Sequence, residues 1–185
     1  LYAGRPANLV TGQPGMGVHV SASGQGVREL EERWGLTSSS MAALLGQLAP
    51  RIARLDLAVD DREGLVDLGR VTEAVHAGTV VSRWRSSEVH ESVELDSGRS
   101  LGRSAYLGRR VSDMYCRIYD KAAQMGVEGT WNRVEIEAKR ERARALAALV
   151  SVQGLRATAG VLRGYVDFKV RTEDGHRDRW PTAWW

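Results

Sequence analysis

Three separated segments of the chain alternate between polar and apolar residues, and this alternation restricts the fold more than any other feature. The segments span residues 51–60, 114–121 and 131–139. Successive side chains of a β-strand point to opposite faces of its sheet, so each segment predicts a strand with one apolar and one polar face. If the three apolar faces are buried, the following polar residues share the opposite surface: Asp56, Asp60, Arg117, Tyr119, Lys121, Arg133, Glu135 and Glu137.

The remaining segments complete the pattern of an α+β protein. Apolar residues at helical spacing, with Ser, Gly and Pro at the ends, predict helices at residues 27–34, 38–48, 65–77, 140–150 and 155–162. Further strands are predicted at residues 18–21, 79–85, 89–95, 104–108 and 165–170. Strands without intervening helices pair most simply as an antiparallel meander, so we expect a central antiparallel sheet with helices packed on one face. The length of 185 residues fits a single domain over residues 1–185.

Composition excludes several classes of protein. The single cysteine, Cys116, rules out a disulfide scaffold and a cysteine-based zinc site. No apolar run approaches the roughly 18 residues of a membrane span, so we expect a cytoplasmic protein without a membrane partner. The chain begins at Leu1 rather than methionine, and we expect it to be trimmed at both ends. Residues 99–144 hold more bases than acids and form the candidate anion-binding stretch.

The predicted polar face carries the residue types that phosphodiester chemistry needs. Grouped carboxylates are hard oxygen ligands suited to Mg²⁺ or Mn²⁺. Tyr119 has Arg117 and Lys121 two residues away on either side, and we expect their positive field to lower the cost of the phenolate. A metal ion, a phosphate clamp and a nucleophile together allow transesterification. The competing interpretation is an ordinary solvated sheet face whose ion pairs contribute little.

Four motifs in order resemble those of a known family. They are Arg54, Asp56, Ala58 and Asp60; Ser104, Tyr106, Gly108, Arg109, Arg110 and Ser112; the run from Arg117 to Ala123; and Trp131, Arg133, Glu135 and Glu137, followed by Arg142 and Ala143. Residues 17–26, 165–168 and 179–185 extend the likeness over nearly the whole chain. These motifs resemble the replication initiation factor family, the Rep-trans type rolling-circle initiators and relaxases of plasmids, integrative conjugative elements and filamentous phages.

The resemblance implies a site-specific DNA nickase. In that family a tyrosine attacks one phosphodiester of single-stranded or extruded hairpin DNA at the origin. It becomes joined to the 5′ phosphate and leaves a free 3′-OH for a polymerase, and a host helicase is a further implied partner. A divalent ion, Mg²⁺ or Mn²⁺, polarises the phosphate. Many rolling-circle initiators hold that ion with a His-hydrophobe-His pair, which this chain lacks because its four histidines are isolated.

The resemblance also suggests a role for individual residues. Tyr119 is the predicted nucleophile, with Tyr106 and Tyr115 as alternatives. The predicted metal ligands are Asp56, Glu135 and Glu137, with Asp60 as a fourth candidate. Lys121, Arg117 and Arg133 are expected to hold phosphate oxygens or to stabilise the phenolate. The predicted contacts to the DNA backbone are Arg109, Arg110, Arg133, Arg140 and Arg144.

Two other functions are compatible with the same residues. A DNA-binding module without cleavage would need only the basic stretch, and its carboxylates would balance charge. A metal nuclease that activates a water molecule would use the carboxylates and leave the tyrosine in a structural role. A covalent protein–DNA adduct separates both from the nickase.

Overall fold

The computed structural model describes residues 7–11, 18–173 and 175–184. The strands in chain order are β1 (Ala7–Thr11), β2 (Val18–Ala22), β3 (Arg54–Asp61), β4 (Val80–Ser82), β5 (Ser87–Val93), β6 (Ser100–Leu107), β7 (Met114–Asp120), β8 (Asn132–Lys139) and β9 (Val166–Phe168). The α-helices are α1 (Gly24–Trp34), α2 (Ser38–Leu48), α3 (Leu68–Ala77), α4 (Lys121–Met125), α5 (Arg140–Gln153) and α6 (Ala157–Tyr165). The final residue of the predicted carboxy-terminal likeness, Trp185, lies outside the described residues.

A five-stranded antiparallel sheet carries the three alternating segments, which confirms the predicted α+β class. Its strand order is β3-β8-β7-β6-β5. Strands β5 to β8 follow one another as the expected meander, whereas β3 joins from far upstream and pairs with β8. This placement brings the first and last alternating segments side by side.

One predicted member of the meander was wrong. The segment predicted as a strand over residues 79–85 forms only β4, which pairs with β9 in a separate two-stranded sheet. The β4 segment is three residues long and continues into a bend, where the Trp84 backbone N–H is bonded to the Ser82 hydroxyl. Another two-stranded sheet joins β1 and β2.

Side-chain hydrogen bonds set the start of α3, and a glycine sets its end. The predicted helix begins at residue 65, but the Asp61 carboxylate accepts the backbone N–H groups of Glu63, Gly64 and Val66, which holds this stretch in a loop. Asp67 then caps the helix by accepting from the N–H groups of its first turn. The helix ends at Ala77 and is followed by the capping residue Gly78, which has a left-handed φ of 68°.

The core lies between one face of the sheet and the helices. Cys116, Ile118, Val134 and Ile136 alternate with the polar residues of β7 and β8, and each is at most 3% exposed. They belong to one apolar cluster with residues of α5 and α6. Fully burying one such aliphatic side chain stabilises the fold by about 1.5–3 kcal/mol. The opposite face of the sheet is therefore available for polar groups.

None of the helices in the described ranges is both long and apolar enough to cross a membrane.

Candidate active site

The strand register places the predicted polar residues in rows across the sheet. Asp56 lies opposite Glu137, and Asp60 lies opposite Arg133. On the other side of β8, Glu135 is paired with Arg117 and Arg133 with Tyr119. Cross-strand partners are about 4.5–5.5 Å apart at Cβ, which is close enough for these side chains to interact directly.

Three carboxylates surround the guanidinium group of Arg117. Its Nη2 atom lies 2.6 Å from Glu135 Oε1, 3.5 Å from Asp56 Oδ2 and 3.8 Å from Glu137 Oε2. We call Asp56, Glu135 and Glu137 the carboxylate cluster. The sequence places these residues on two strands far apart in the chain, and the pairing of β3 with β8 brings them together.

Glu137 is the most buried member of the cluster, with a relative exposure of 1%. Its Oε2 lies 2.7 Å from Arg54 Nη2 and its Oε1 lies 2.9 Å from Lys139 Nζ. Neither oxygen accepts a hydrogen bond of regular geometry despite these ion pairs. A buried carboxylate is stable only when its charge is compensated, so Arg54 and Lys139 are required to hold Glu137 in place.

Asp60 lies apart from the cluster. Arg133 donates to both of its carboxylate oxygens at 2.6 and 2.7 Å, and the indole of Trp131 donates a third hydrogen bond of 2.7 Å. Burial opposes ionisation of Asp60, but the hydrogen bonds from Arg133 and Trp131 outweigh it and lower the pKa of the carboxyl. Arg133 is thus engaged with Asp60 in this structure.

The hydroxyl of Tyr119 points at the cluster, and it donates a hydrogen bond of 3.0 Å to Glu135 Oε2. Burial, the charge of Glu135 and this hydrogen bond raise the pKa of Tyr119 to about 12. The expectation that Arg117 and Lys121 would favour the phenolate was therefore wrong for the protein without ligands. Arg117 directs its charge to Glu135, and the lowering effect of Arg133 on the pKa of the hydroxyl is outweighed by burial and by Glu135.

Lys121 does not continue the strand as predicted. β7 ends at Asp120, whose side chain accepts the N–H of Ala123 at 2.8 Å and caps the short helix α4. The Lys121 ammonium donates to Gln124 at 2.6 Å and lies 5.9 Å from the ring centroid of Tyr119. Its pKa is lowered, first by burial and then by neighbouring arginines. The hydrogen bond of the Lys121 ammonium is thus made to Gln124, and the ammonium lies near the Tyr119 ring.

A groove of about 640 Å³ opens beside Tyr119 and Arg117. It is also lined by Tyr106 and Tyr115, whose rings are parallel within 6° with centroids 6.1 Å apart. Tyr115 is 8% exposed, and burial is the main cause that raises its pKa. All three candidate tyrosines therefore border one groove, but only Tyr119 is hydrogen-bonded to the carboxylate cluster.

The predicted DNA-contacting arginines gather mainly at one end of the site. Arg109 and Arg110 are exposed in the turn between β6 and β7, and Arg110 lines the groove. Arg140 opens α5 with a positive φ of 52° and forms an ion pair with Asp113 of the same turn. Arg144 is exposed one helical turn later in α5.

The glycine before these arginines is required by packing. Gly108 has a φ of 88°, a conformation that residues with a side chain rarely adopt. A Cβ atom at this position would lie 2.3 Å from Cδ1 of Trp84, whose indole N–H is bonded to the carbonyl of Met114. Gly108 therefore lets the arginine turn approach Trp84 closely.

The carboxylate cluster has the donor chemistry for a hard divalent cation. Across the described residues, no three His, Cys, Asp or Glu side chains are spaced as ligands of one ion. In the cluster, the position between the carboxylates is occupied by the Arg117 guanidinium, which supplies the compensating charge. The buried Glu137 oxygens without regular hydrogen bonds fit an oxygen-ligated ion such as Mg²⁺ or Mn²⁺.

Sequence reasoning missed several residues of the site. Arg54 and Lys139, which hold Glu137, were not selected as site residues, although both occupy polar positions of the alternating segments. His90 was given no role, yet it lines the groove with its ring edge-on to Tyr106 at a centroid distance of 5.3 Å. The alternation of β5 could have indicated His90, since Glu88 and His90 share a face.

Comparison with known proteins identifies relatives over most of the chain. The family model described as Replication initiation factor matches residues 50–185. A protein of Bacillus subtilis (strain 168) named "Putative DNA relaxase NicK" is 28% identical over 180 residues, which cover 90% of this chain and 51% of the relative. The chain thus spans about half the length of that relative.

A solved structure shares the fold. It is the rolling circle replication initiator protein from Geobacillus stearothermophilus, which superimposes with a TM-score of 0.82 at 32% sequence identity. The match covers 93% of this chain and 67% of that one. The range matched by the family model includes the five strands of the sheet that carries the carboxylate cluster and borders the groove.

Proposed function

Since the chain belongs to the replication initiation factor family, we propose that it is a nicking domain that cuts one DNA strand at a specific origin site with Tyr119 as the nucleophile. The observation that carries the proposal is the hydrogen bond between the Tyr119 hydroxyl and Glu135, at the border between the carboxylate cluster and the groove. A phosphodiester in the groove would lie beside a nucleophile, oxygen ligands for a cation and basic side chains.

The proposed reaction is a transesterification. The Tyr119 hydroxyl oxygen forms a bond to phosphorus, and the bond from phosphorus to the 3′ oxygen of the preceding nucleotide breaks. The phenol proton leaves along its existing hydrogen bond towards Glu135, and the departing 3′ oxygen takes up a proton. The products are a 5′-phosphotyrosine and a free 3′-OH, which a polymerase can extend.

Asp56, Glu135 and Glu137 would hold Mg²⁺ or Mn²⁺ in this proposal. When bound, the ion would polarise the scissile phosphate and stabilise the negative charge that develops on it. Asp60 is the less suitable candidate, because Arg133 and Trp131 already satisfy its oxygens. The role of Asp60 is to position Arg133 opposite Tyr119 in the neighbouring strand.

The basic residues would bind the DNA backbone. Arg110 lines the groove, and Arg109 is exposed in the same turn. Arg140 and Arg144 extend the positive surface along α5, and the Lys121 ammonium lies 5.9 Å from the Tyr119 ring centroid. Contacts of this kind fix the position of a strand without reading its sequence. Origin DNA, single-stranded or extruded as a hairpin, is the proposed partner, and helicase and polymerase would act on the nicked product.

The raised pKa of Tyr119 is consistent with a site that is inactive without its cation. At neutral pH the phenol is protonated and its hydrogen bond leads to a carboxylate. A cation held by Glu135 would reduce the negative field on the hydroxyl and lower the cost of its deprotonation. The proposal therefore links metal binding directly to the reactivity of Tyr119.

The test is a search for a covalent adduct. The protein is incubated with a pool of single-stranded oligonucleotides and Mn²⁺ and analysed on a denaturing gel. We expect an adduct that resists denaturant but not protease, and we expect its loss in Tyr119→Phe with oligonucleotide binding retained. Cleavage without an adduct would indicate a nuclease that uses activated water, and binding without cleavage would indicate a DNA-binding module; either result overturns the proposal.

A further inference from the structure

The position of Arg117 connects the two halves of the site. Of the cations in the described part of the chain, it alone reaches all three members of the carboxylate cluster, whereas Arg54 reaches Asp56 and Glu137. The same Arg117 side chain lines the groove next to Tyr119. One guanidinium group is therefore placed between the candidate metal site and the candidate DNA site.

The hydrogen-bond donors of Arg117 are only partly paired in this position. Its Nε atom is buried without a hydrogen-bond acceptor, while Nη2 carries the contacts to the carboxylates. A buried donor without an acceptor is unfavourable, so the charge of the carboxylates is what holds the side chain in this position. Removing that attraction would favour a different position for the guanidinium group.

A divalent cation and Arg117 cannot both neutralise the cluster. Asp56, Glu135 and Glu137 carry three negative charges, and Arg54 and Lys139 already compensate part of them. A doubly charged ion between the carboxylates would repel the guanidinium group at a distance of a few ångströms. The groove beside Tyr119 offers the displaced side chain a place where a DNA phosphate can accept its hydrogen bonds.

We propose that Arg117 is a competing internal cation, which closes the carboxylate cluster in the metal-free protein and turns to a DNA phosphate in the groove when a divalent ion binds. The inference rests on the proposed function and adds to it a coupling between metal binding and DNA binding. Metal and DNA each favour the released position of Arg117, so each ligand strengthens the binding of the other.

Binding of Mn²⁺ without DNA tests the competition directly. Free Mn²⁺ is measured by electron paramagnetic resonance for the parent protein, Arg117→Gln and Arg103→Gln. Arg103 also lines the groove, but it pairs with Glu91 and makes no contact with the cluster. We expect Arg117→Gln to bind Mn²⁺ about tenfold more tightly, a gain between those that removing a unit charge about 4 Å away gives in water and at an effective dielectric constant of 20. Arg103→Gln should change the Mn²⁺ affinity by less than about twofold, because it removes the same unit charge at a position away from the carboxylate cluster.

A second measurement tests the coupling to DNA. In a Tyr119→Phe background, which prevents cleavage, Mn²⁺ should strengthen the binding of a single-stranded oligonucleotide. In the double variant Tyr119→Phe, Arg117→Gln that gain should disappear, although the metal binds more tightly. Far-ultraviolet circular dichroism checks that each variant is folded. Arg117→Lys serves as a second variant, and its gain in Mn²⁺ affinity should lie between zero and the gain of Arg117→Gln.

The two proposals fail separately. If Arg117→Gln and Arg117→Lys bind Mn²⁺ with unchanged or weaker affinity, or if Arg103→Gln gains as much, Arg117 is not the competing cation. The Tyr119 adduct would still be formed by the parent protein in that case. If Arg117→Gln gains affinity while the parent protein forms no adduct, the competition is supported and the nicking function is refuted.

Discussion

Replacing Glu135 by glutamine should lower the pKa of Tyr119. Burial is the largest cause of the raised value of about 12, and the negative charge of Glu135 and its hydrogen bond follow. Glutamine keeps the shape of the side chain and an acceptor for the hydroxyl, but it removes the charge. Burial and a hydrogen bond to the neutral amide oxygen would then remain as the causes that raise the pKa, opposed by Arg133.

The magnitude follows from the distance of 3.0 Å between the hydroxyl and Glu135 Oε2. Two unit charges about 4 Å apart interact by about 4 kcal/mol at an effective dielectric constant of 20. Tyr119 is only half buried and water screens much of this energy, so we expect a fall of about one pKa unit, or about 1.4 kcal/mol. Arg117, released from Glu135, would act in the same direction.

The assay is a titration of phenolate absorbance in the near ultraviolet. The chain has five tyrosines, so the curve of Tyr119 is obtained by subtracting the same titration of a Tyr119→Phe variant, in the parent and in the Glu135→Gln background. Glu91→Gln is the matched control, because Glu91 lies on the same sheet but is bonded to Arg103. An unchanged or higher pKa in Glu135→Gln, or an equal fall in Glu91→Gln, would refute this account of the site.

The same shift makes stability depend on alkaline pH. The pKa of Tyr119 is higher in the folded protein, about 12, than the ordinary value of 10. Its contribution is therefore fully present below about pH 10 and is lost as the pH rises towards 12. In Glu135→Gln the folded pKa of Tyr119 lies closer to 10, so this pH window narrows and the total fall in the free energy of unfolding across it, measured in urea, should be smaller.

Two further predictions concern the residues that shape the site. Gly108→Ala should lower the free energy of unfolding in urea by about 2–5 kcal/mol, because it adds an unfavourable φ and a clash with Trp84. Gly126→Ala, with a φ of 64° and no heavy atom within 4 Å, should cost only about 1 kcal/mol, and equal losses would contradict the clash. Asp60→Asn should destabilise the protein above about pH 4 and progressively less as the pH falls through the lowered pKa of Asp60, because only the ionised form is paired with Arg133. A difference between Asp60→Asn and the parent that is constant with pH would contradict this role.

The alternating pattern predicted which residues share a face, but it could not predict which strands are neighbours. Leu57, Ile118 and Ile136 are buried, and their polar neighbours stand on the other face as expected. The pairing of β3 with β8 depends on how the whole core packs, which no local pattern reports. The position of Asp56 opposite Glu137 was therefore visible only in the structure.

The electrostatic environment of Tyr119 was predicted with the wrong sign for a related reason. Residues two apart on one strand are separated by about 6.6 Å, whereas side chains on neighbouring strands approach more closely. The Tyr119 hydroxyl is hydrogen-bonded to Glu135 on the next strand, and Arg117 is turned to the same carboxylate. Lys121 was predicted to lie in the strand, but it begins the short helix α4, which Asp120 caps and which the sequence pattern did not indicate.

The central claim is that the Tyr119 oxygen becomes bonded to DNA. Trypsin places the three candidate tyrosines in separate peptides, because it cuts after Arg103, Arg109, Arg110, Arg117 and Lys121. Tyr106 falls in residues 104–109, Tyr115 in 111–117 and Tyr119 in 118–121. Mass spectrometry of the digested adduct should find the nucleotide on the peptide of residues 118–121. A nucleotide on either of the other two peptides would contradict the assignment of Tyr119 as the nucleophile.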